Sequence, residues 1–331
     1  MTEGPIDDET DALLALDALP PDEQADAELR IGTSPAHLEA AALLAEATVT
    51  SPPAELRSEV LAGATARRRP GRPVDAAQPC APAVAFDRTV EDLRNLLESL
   101  TDAEWNAPAH ADHGRVRDLV AHLVGVERLV MRWLDRDETV PDLPDHVEAT
   151  RPVIAELADA DPQQIARMWY DGARAVAASA ARGGGRVVVF HDLTLTIDQL
   201  LLTRTGELWA HAMDISRAVG RPLPTLDQER LATLCSSLMS AVPLAMAYNG
   251  TPAPGRTARF VLSGPAGGTF VVPLAPQAPA GDPDVTIVAD AVDFCRLAVR
   301  RLGPDQLDAR FDGDRELGDL VLAGVSALAR D

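Results

Sequence analysis

The stretch Leu200-Leu201-Leu202-Thr203-Arg204-Thr205-Gly206-Glu207-Leu208-Trp209-Ala210-His211-Ala212-Met213-Asp214-Ile215 decides how this chain of 331 residues is read. Leu201, Leu208, Ile215 and Val219 recur at helical spacing, and Arg204, Glu207 and His211 lie on or beside the same face. Glu207 and His211 are four apart, so their side chains leave adjacent turns toward one point. A carboxylate and an imidazole turned inward are costly unless something satisfies them. A divalent metal would do so. An i,i+4 hydrogen bond on a half-exposed helix would also do so, and the pair taken alone favours that plainer arrangement.

Working outward, the region from 84 to 250 reads as helices. Phe86, Val90, Leu93, Leu97 and Leu100 form one apolar stripe, ending before the capping-box start Thr101-Asp102-Ala103-Glu104. A second helix runs from Val116, with Leu119, Val120, Leu123, Glu127, Val130 and Leu134 on one face and His122 at its edge. A third starts at Asp161-Pro162, an N-cap with proline in the first turn, and runs to about Arg182 before Gly183-Gly184-Gly185. The opening stretch is the fourth, stopped by Gly220 with Pro222 beyond. Leu226–Tyr248 adds another, with Pro243 inside it. Four long amphipathic helices argue for a helix bundle. Facing helices of a bundle assemble metal sites, and His122 can meet Glu207 and His211 there. Two imidazoles and a carboxylate, with water in the fourth position, suit a catalytic zinc site and equally other divalent ions that prefer nitrogen and oxygen.

The remaining histidines and acids carry weaker signals. His110 and His113 have ligand-like spacing but fall in a polar loop, where solvated histidines are the norm. His191 follows the short strand Val187–Phe190 and reads as a loop histidine. Asp118 and Asp214 either orient an imidazole through a second hydrogen bond or are ordinary surface acids.

Composition bounds the function. Lys and Arg total 30 against 51 Asp and Glu, a formal charge of -21. That balance repels phosphate backbones and argues against nucleic acid and anionic membranes. No apolar run reaches the roughly 18 residues of a membrane span, and the N-terminus has neither the basic start nor the apolar core of a signal peptide. Cys80, Cys235 and Cys295 are scattered, without CxxC spacing, which points to a reducing compartment. The expectation is a soluble cytoplasmic protein of more than one domain.

Residues 1–66 read as four short helices that bury little by themselves. Residues 67–83, rich in Pro, Gly and Ala with the run Arg67-Arg68-Arg69, read as a linker. From about 256 to 331 the period changes. Arg259–Leu262 and Thr269–Leu274 flank Gly264-Pro265-Ala266-Gly267-Gly268 as a hairpin. Val285–Val288 adds a strand, and Val292–Leu302 and Glu316–Leu328 are helices, giving an antiparallel sheet with helices on one side. Cys295 reads as a small buried apolar residue, since no base adjoins it.

Two resemblances sharpen this outline. The segments DRTVEDLRNLLESLTDAEW, VRDLVAHLVGVE and RTGELWAHAMDISRAVGRPL resemble the metal-binding domain of the mycothiol-dependent maleylpyruvate isomerase family, which is similar to DinB-like four-helix bundles. The resemblance implies metal ligands at His122, Glu207 and His211, and a small C-terminal domain similar to sterol-carrier folds. Gly206 departs from the bulky residue expected before the Glu, weakening the helix slightly and widening the pocket. The layout ALDALPPDEQADAELR with PPAELRSEVLAGA resembles the N-terminal domain of anti-sigma factors. It lacks their cysteines and keeps only His37, so that unit is expected to bind no zinc.

The fold class expected is therefore mainly α with a C-terminal α+β domain. The domains are a helical unit (1–66), a linker (67–83), a DinB-like four-helix bundle (84–250) and a small α+β domain (256–331). The expected function is metal-binding chemistry, with zinc as the expected ion, that uses a mycothiol-like thiol on a small electrophile, of isomerase or S-transferase type. The other reading is an anti-sigma regulator, with residues 1–66 gripping a basic sigma factor and the bundle acting as sensor.

Overall fold

The computed structural model describes residues 78–135, 146–183, 187–190, 193–276 and 281–329. The chain divides after Pro73 into two units. The helices expected in residues 1–66, with the anti-sigma resemblance they carry, His37, the run Arg67–Arg69 and the loop His191-Asp192 lie outside the described residues.

Helix α1 (Pro82–Glu98) opens with proline in its first turn and buries Phe86, Val90, Leu93 and Leu97. The expected linker stops short of residue 83. Ahead of α1, the Cys80 carbonyl accepts a hydrogen bond from the Thr233 hydroxyl at 2.9 Å, so this segment is packed. Helix α2 (Asp102–Trp105) carries the expected capping box between Thr101 and Glu104 and buries Trp105. A tight antiparallel ribbon, β1 (Pro108–His110) and β2 (Gly114–Arg115), then leads into α3 (Val116–Leu134).

Next comes α4 (His146–Glu156), which the sequence did not suggest. Helix α5 (Pro162–Arg182) begins where expected, the Asp161 carboxylate accepting from the Gln164 N–H at 3.1 Å. The hairpin β3 (Val187–Phe190) and β4 (Leu193–Thr196) precedes α6 (Ile197–Ala218). Thr196 and Gln199 form a capping box there, and Gly220 at φ 68° ends the helix region. Helices α1, α3, α5 and α6 close around one hydrophobic cluster that includes Trp105, Leu119, Leu123, Trp169, Leu200 and Leu208. In it α3 lies against α4 and α5, α5 against α1, and α1 against α6.

The opposite face of α6 belongs to a second cluster. Trp209, Ala210 and Met213 pack there with α7 (Gln228–Tyr248), so α7 sits with the sheet and is not a fifth wall of the bundle. Among the described residues α7 is the helix long and apolar enough to span a bilayer, which departs from the expectation that none is. Half of that stretch is buried, and α7 packs against β6, α8 and α9, the setting of an interior helix.

The C-terminal sheet differs from expectation in a way the chain path explains. Its strands are β5 (Thr257–Ser263), β6 (Gly268–Pro273), β7 (Val285–Asp290) and β8 (Arg310–Gly313), in the order β6-β5-β7-β8. β5 and β6 form the expected antiparallel hairpin. The chain leaves β6 beside the start of β5, where Leu274 N–H donates to Arg256 C=O at 2.9 Å. It re-enters at the same end, where Asp284 N–H donates to Thr257 C=O at 2.8 Å. β7 therefore runs parallel to β5, and the sheet is mixed, not purely antiparallel. β8, whose end Asp312-Gly313 with Asp314 looks locally like a turn, pairs antiparallel with β7. Helices α8 (Ala291–Ala298) and α9 (Arg315–Ser326) complete this half.

Candidate metal centre

Four of the chain's seven histidines meet inside the bundle. His122 projects from α3 and His211 from α6, each 1% exposed. His113 reaches them from the turn between β1 and β2 and is 4% exposed. These three imidazoles each offer a ligand nitrogen, and those atoms lie within 4.8 Å of one another. The His113 ring stacks on His122 with centroids 3.9 Å apart, and His211 stands edge-on to both at 5.7 and 5.8 Å. His110 stacks behind His113 at 4.7 Å. Its Nδ1 accepts the Asp112 N–H at 3.2 Å, and it is not one of the three whose ligand atoms converge.

Neighbouring groups fix which nitrogen His122 and His211 present. The Thr150 hydroxyl donates its one proton to the Val147 carbonyl at 2.9 Å, so it accepts from Nδ1–H of His122 at 2.7 Å. Asp214 accepts from Nδ1–H of His211 at 3.3 Å. Burial works against the Asp214 charge, but hydrogen bonds from His211 and Arg301 outweigh it and hold its carboxyl below the usual range. Arg301 grips Asp214 with both arms of its fork, at 2.8 and 2.6 Å. His122 and His211 thus each carry the lone pair on Nε2. Two rings oriented through Nδ1 by a hydroxyl and a carboxylate are the arrangement that tunes metal-binding histidines. By donor chemistry the cluster fits a borderline divalent ion such as zinc.

The structure brings together two members of the expected ligand set, with His113 beside them. His122 and His211 are in the cluster, whereas Glu207 is not. Glu207 pairs instead with Arg204, three residues earlier on α6. Arg204 also donates to Glu127 of α3 at 2.7 Å, both side chains being 1% exposed. A guanidinium buried in this core needs anionic partners, and it takes both carboxylates. Burial opposes its charge, but Glu127 and Glu207 raise its pKa above the ordinary value. Burial pushes the Glu127 carboxyl up, with Arg204 pulling against it.

Sequence reasoning placed His113 in solvent. Its entry depends on Gly114, whose φ of 82° turns the ribbon back into α3. Asp118 is the surface acid of the two alternatives, accepting from Arg115 N–H and its guanidinium at the start of α3. Thr150 came from a helix not foreseen. Its approach needs Gly125, where a Cβ would stand 2.7 Å from Thr150 Cγ2 and 2.9 Å from Thr150 Cβ. Gly125→Val is therefore expected to displace α4, cost about 1–3 kcal/mol through overpacking, and break the His122–Thr150 bond. Thermal unfolding and the chemical shift of the His122 Nδ1–H would check both effects.

The fold and site define a class: a helix bundle that buries an imidazole cluster, joined through its last helix to a small α/β half. Residues 86–216 match the family model of the mycothiol maleylpyruvate isomerase N-terminal domain. An uncharacterized protein of Mycobacterium tuberculosis is 22% identical over 243 residues, covering 72% of this chain and 91% of its own. A crystal structure of the mycothiol-dependent maleylpyruvate isomerase aligns with TM-score 0.47 at 18% identity, covering 69% of this chain and 91% of that one. A variant of the same enzyme aligns with TM-score 0.46 at 16% identity.

Proposed function

We propose that the chain binds one divalent metal, zinc by its donor set, through His113, His122 and His211, and uses a mycothiol-type thiol on a small electrophilic substrate, in an isomerase or S-transferase reaction. The observation that carries this reading is the meeting of three buried imidazoles from separate elements, two of them already oriented through Nδ1. When bound, the ion would act as a Lewis acid that lowers the pKa of a coordinated thiol or water.

The chain's own residues do the rest. Thr150 and the Asp214–Arg301 pair keep the ligand nitrogens aimed inward. The bundle's apolar layers exclude water and strengthen every electrostatic interaction inside. Glu207, one turn before His211 and lining a cleft beside α6, supplies a carboxylate able to take or return a proton at the substrate. A protein thiol is a poor alternative nucleophile. Cys295 is wholly buried, and the hydrogen bond with Cys235, together with burial, raises its pKa well above that of a free thiol. Cys235 and Cys295 stand 3.4 Å apart, sulfur to sulfur, in the interior of the C-terminal half.

The test is turnover of an α,β-unsaturated carbonyl substrate, followed by ultraviolet absorbance with and without mycothiol. Thiol-dependent turnover by the intact protein, lost on chelation and in His211→Ala, is the expected result. Turnover that survives His211→Ala would sink the mechanism.

A further inference from the structure

Between α6, α7 and α8 lies a cleft of about 620 Å³, within the range of small-molecule sites. Its walls are unusual for a chain this charged. Leu202, Leu234, Leu238 and Leu244 supply apolar surface, and Ser236 and Ser237 add hydroxyls from α7. Among the described lining residues the one ionisable group besides cysteine and tyrosine is Glu207, whose charge Arg204 takes up. Arg217, Arg300 and Arg301 gather instead along a different groove. Gly206 opens the floor, since a Cβ there would meet Val299 at 3.4 Å.

We infer that this cleft is a binding site for an uncharged, largely apolar small molecule, and that it disfavours carboxylate-bearing ligands. Entering such a site strips water from a carboxylate, and no described cation lines the cleft to offset that loss. Apolar walls dotted with neutral polar groups, the hydroxyls of Thr203, Thr233, Ser236, Ser237, Ser240 and Tyr248, reward a ligand with an aliphatic or aromatic body and a few neutral polar groups. The substrate named for the isomerase structures above carries two carboxylates, so this chain's ligand belongs to another chemical class. The inference names the substrate class for the proposed thiol chemistry and rests on that reading only for the ligand's being a substrate. Occupancy of the cleft stands apart from the metal.

The experiment compares two fluorophores that differ by one sulfonate: neutral N-phenyl-1-naphthylamine and its anionic analogue 8-anilinonaphthalene-1-sulfonate. The full chain is expected to bind the neutral probe saturably, one per chain, and the sulfonate at least about tenfold more weakly, the factor that 1.4 kcal/mol of uncompensated charge gives. Ala241→Trp and Ser237→Phe, both on the cleft wall, should each abolish neutral-probe binding. His211→Ala, away from the cleft lining, should leave it unchanged, so loss of the metal site and loss of the cleft are read separately. Equal or tighter binding of the sulfonate would overturn the inference. So would neutral-probe binding that persists in both filled variants, or that disappears in His211→Ala.

Discussion

His113→Ala, His122→Ala and His211→Ala should each strip the purified protein of stoichiometric metal, while Glu207→Gln retains it. The loss in affinity should exceed the roughly 10–100-fold that follows removal of an outer hydrogen-bond partner, and Thr150→Val, which removes such a partner from His122, should fall within that range. Competitive titration with a chromophoric chelator gives the constants, and elemental analysis gives the stoichiometry. The comparison that matters is His113→Ala with Glu207→Gln. The expected ordering follows from where the structure spends the Glu207 charge, on Arg204. If Glu207→Gln loses its metal and His113→Ala keeps it, the ligand set implied by the family resemblance is restored and the three-histidine set is wrong.

The second large effect belongs to the buried charges that surround the site. Arg204→Met should destabilise the protein by about 3–5 kcal/mol, because it leaves Glu127 buried without its cation. For a unit of this size that is a fall in melting temperature on the order of 10 °C. The double variant Arg204→Met, Glu127→Leu should recover most of the loss, since an apolar pair of similar volume needs no solvation. Arg204→Lys should not, because an ammonium lacks the fork that reaches Glu127 and Glu207 together. Thermal and urea unfolding of the four proteins would decide it. A double variant as unstable as Arg204→Met alone would show that packing, not charge, is at stake.

Much of this was legible in the residues. Helices α1, α3, α5 and α6 declare themselves by apolar period, caps and breakers, and these signals are local. Helix α4 was hidden because Pro152 sits inside it and its composition lacks a strong stripe. β8 is only four residues long, and Asp312-Gly313-Asp314 reads locally as a turn. The parallel pairing of β5 with β7 depends on where a connection re-enters the sheet, which no local period encodes.

The site divides in the same way. The direction in which His122 and His211 point follows from helical phase. The position of His113 depends on a two-strand ribbon and the left-handed turn at Gly114, so its burial is tertiary. Glu207 lies outside the imidazole cluster because helical phase places it beside Arg204 as readily as beside His211. Only the arrival of Glu127 from α3 makes Arg204 a buried cation that must hold both acids.

The contact of Arg301 with Asp214 ties the two halves of this unit into one thermodynamic system. The imidazole of His211 leans on a carboxylate whose charge is held by a residue following α8, 87 positions along the chain. A fragment ending near residue 250 would keep every histidine of the cluster and lose the arginine that holds their support in place. Ligand binding at the histidines would then stabilise the sheet as well as the bundle, by RT ln(1 + [L]/Kd). Amide exchange in β5 and β7 would slow as the bundle fills, although neither strand touches the ligand.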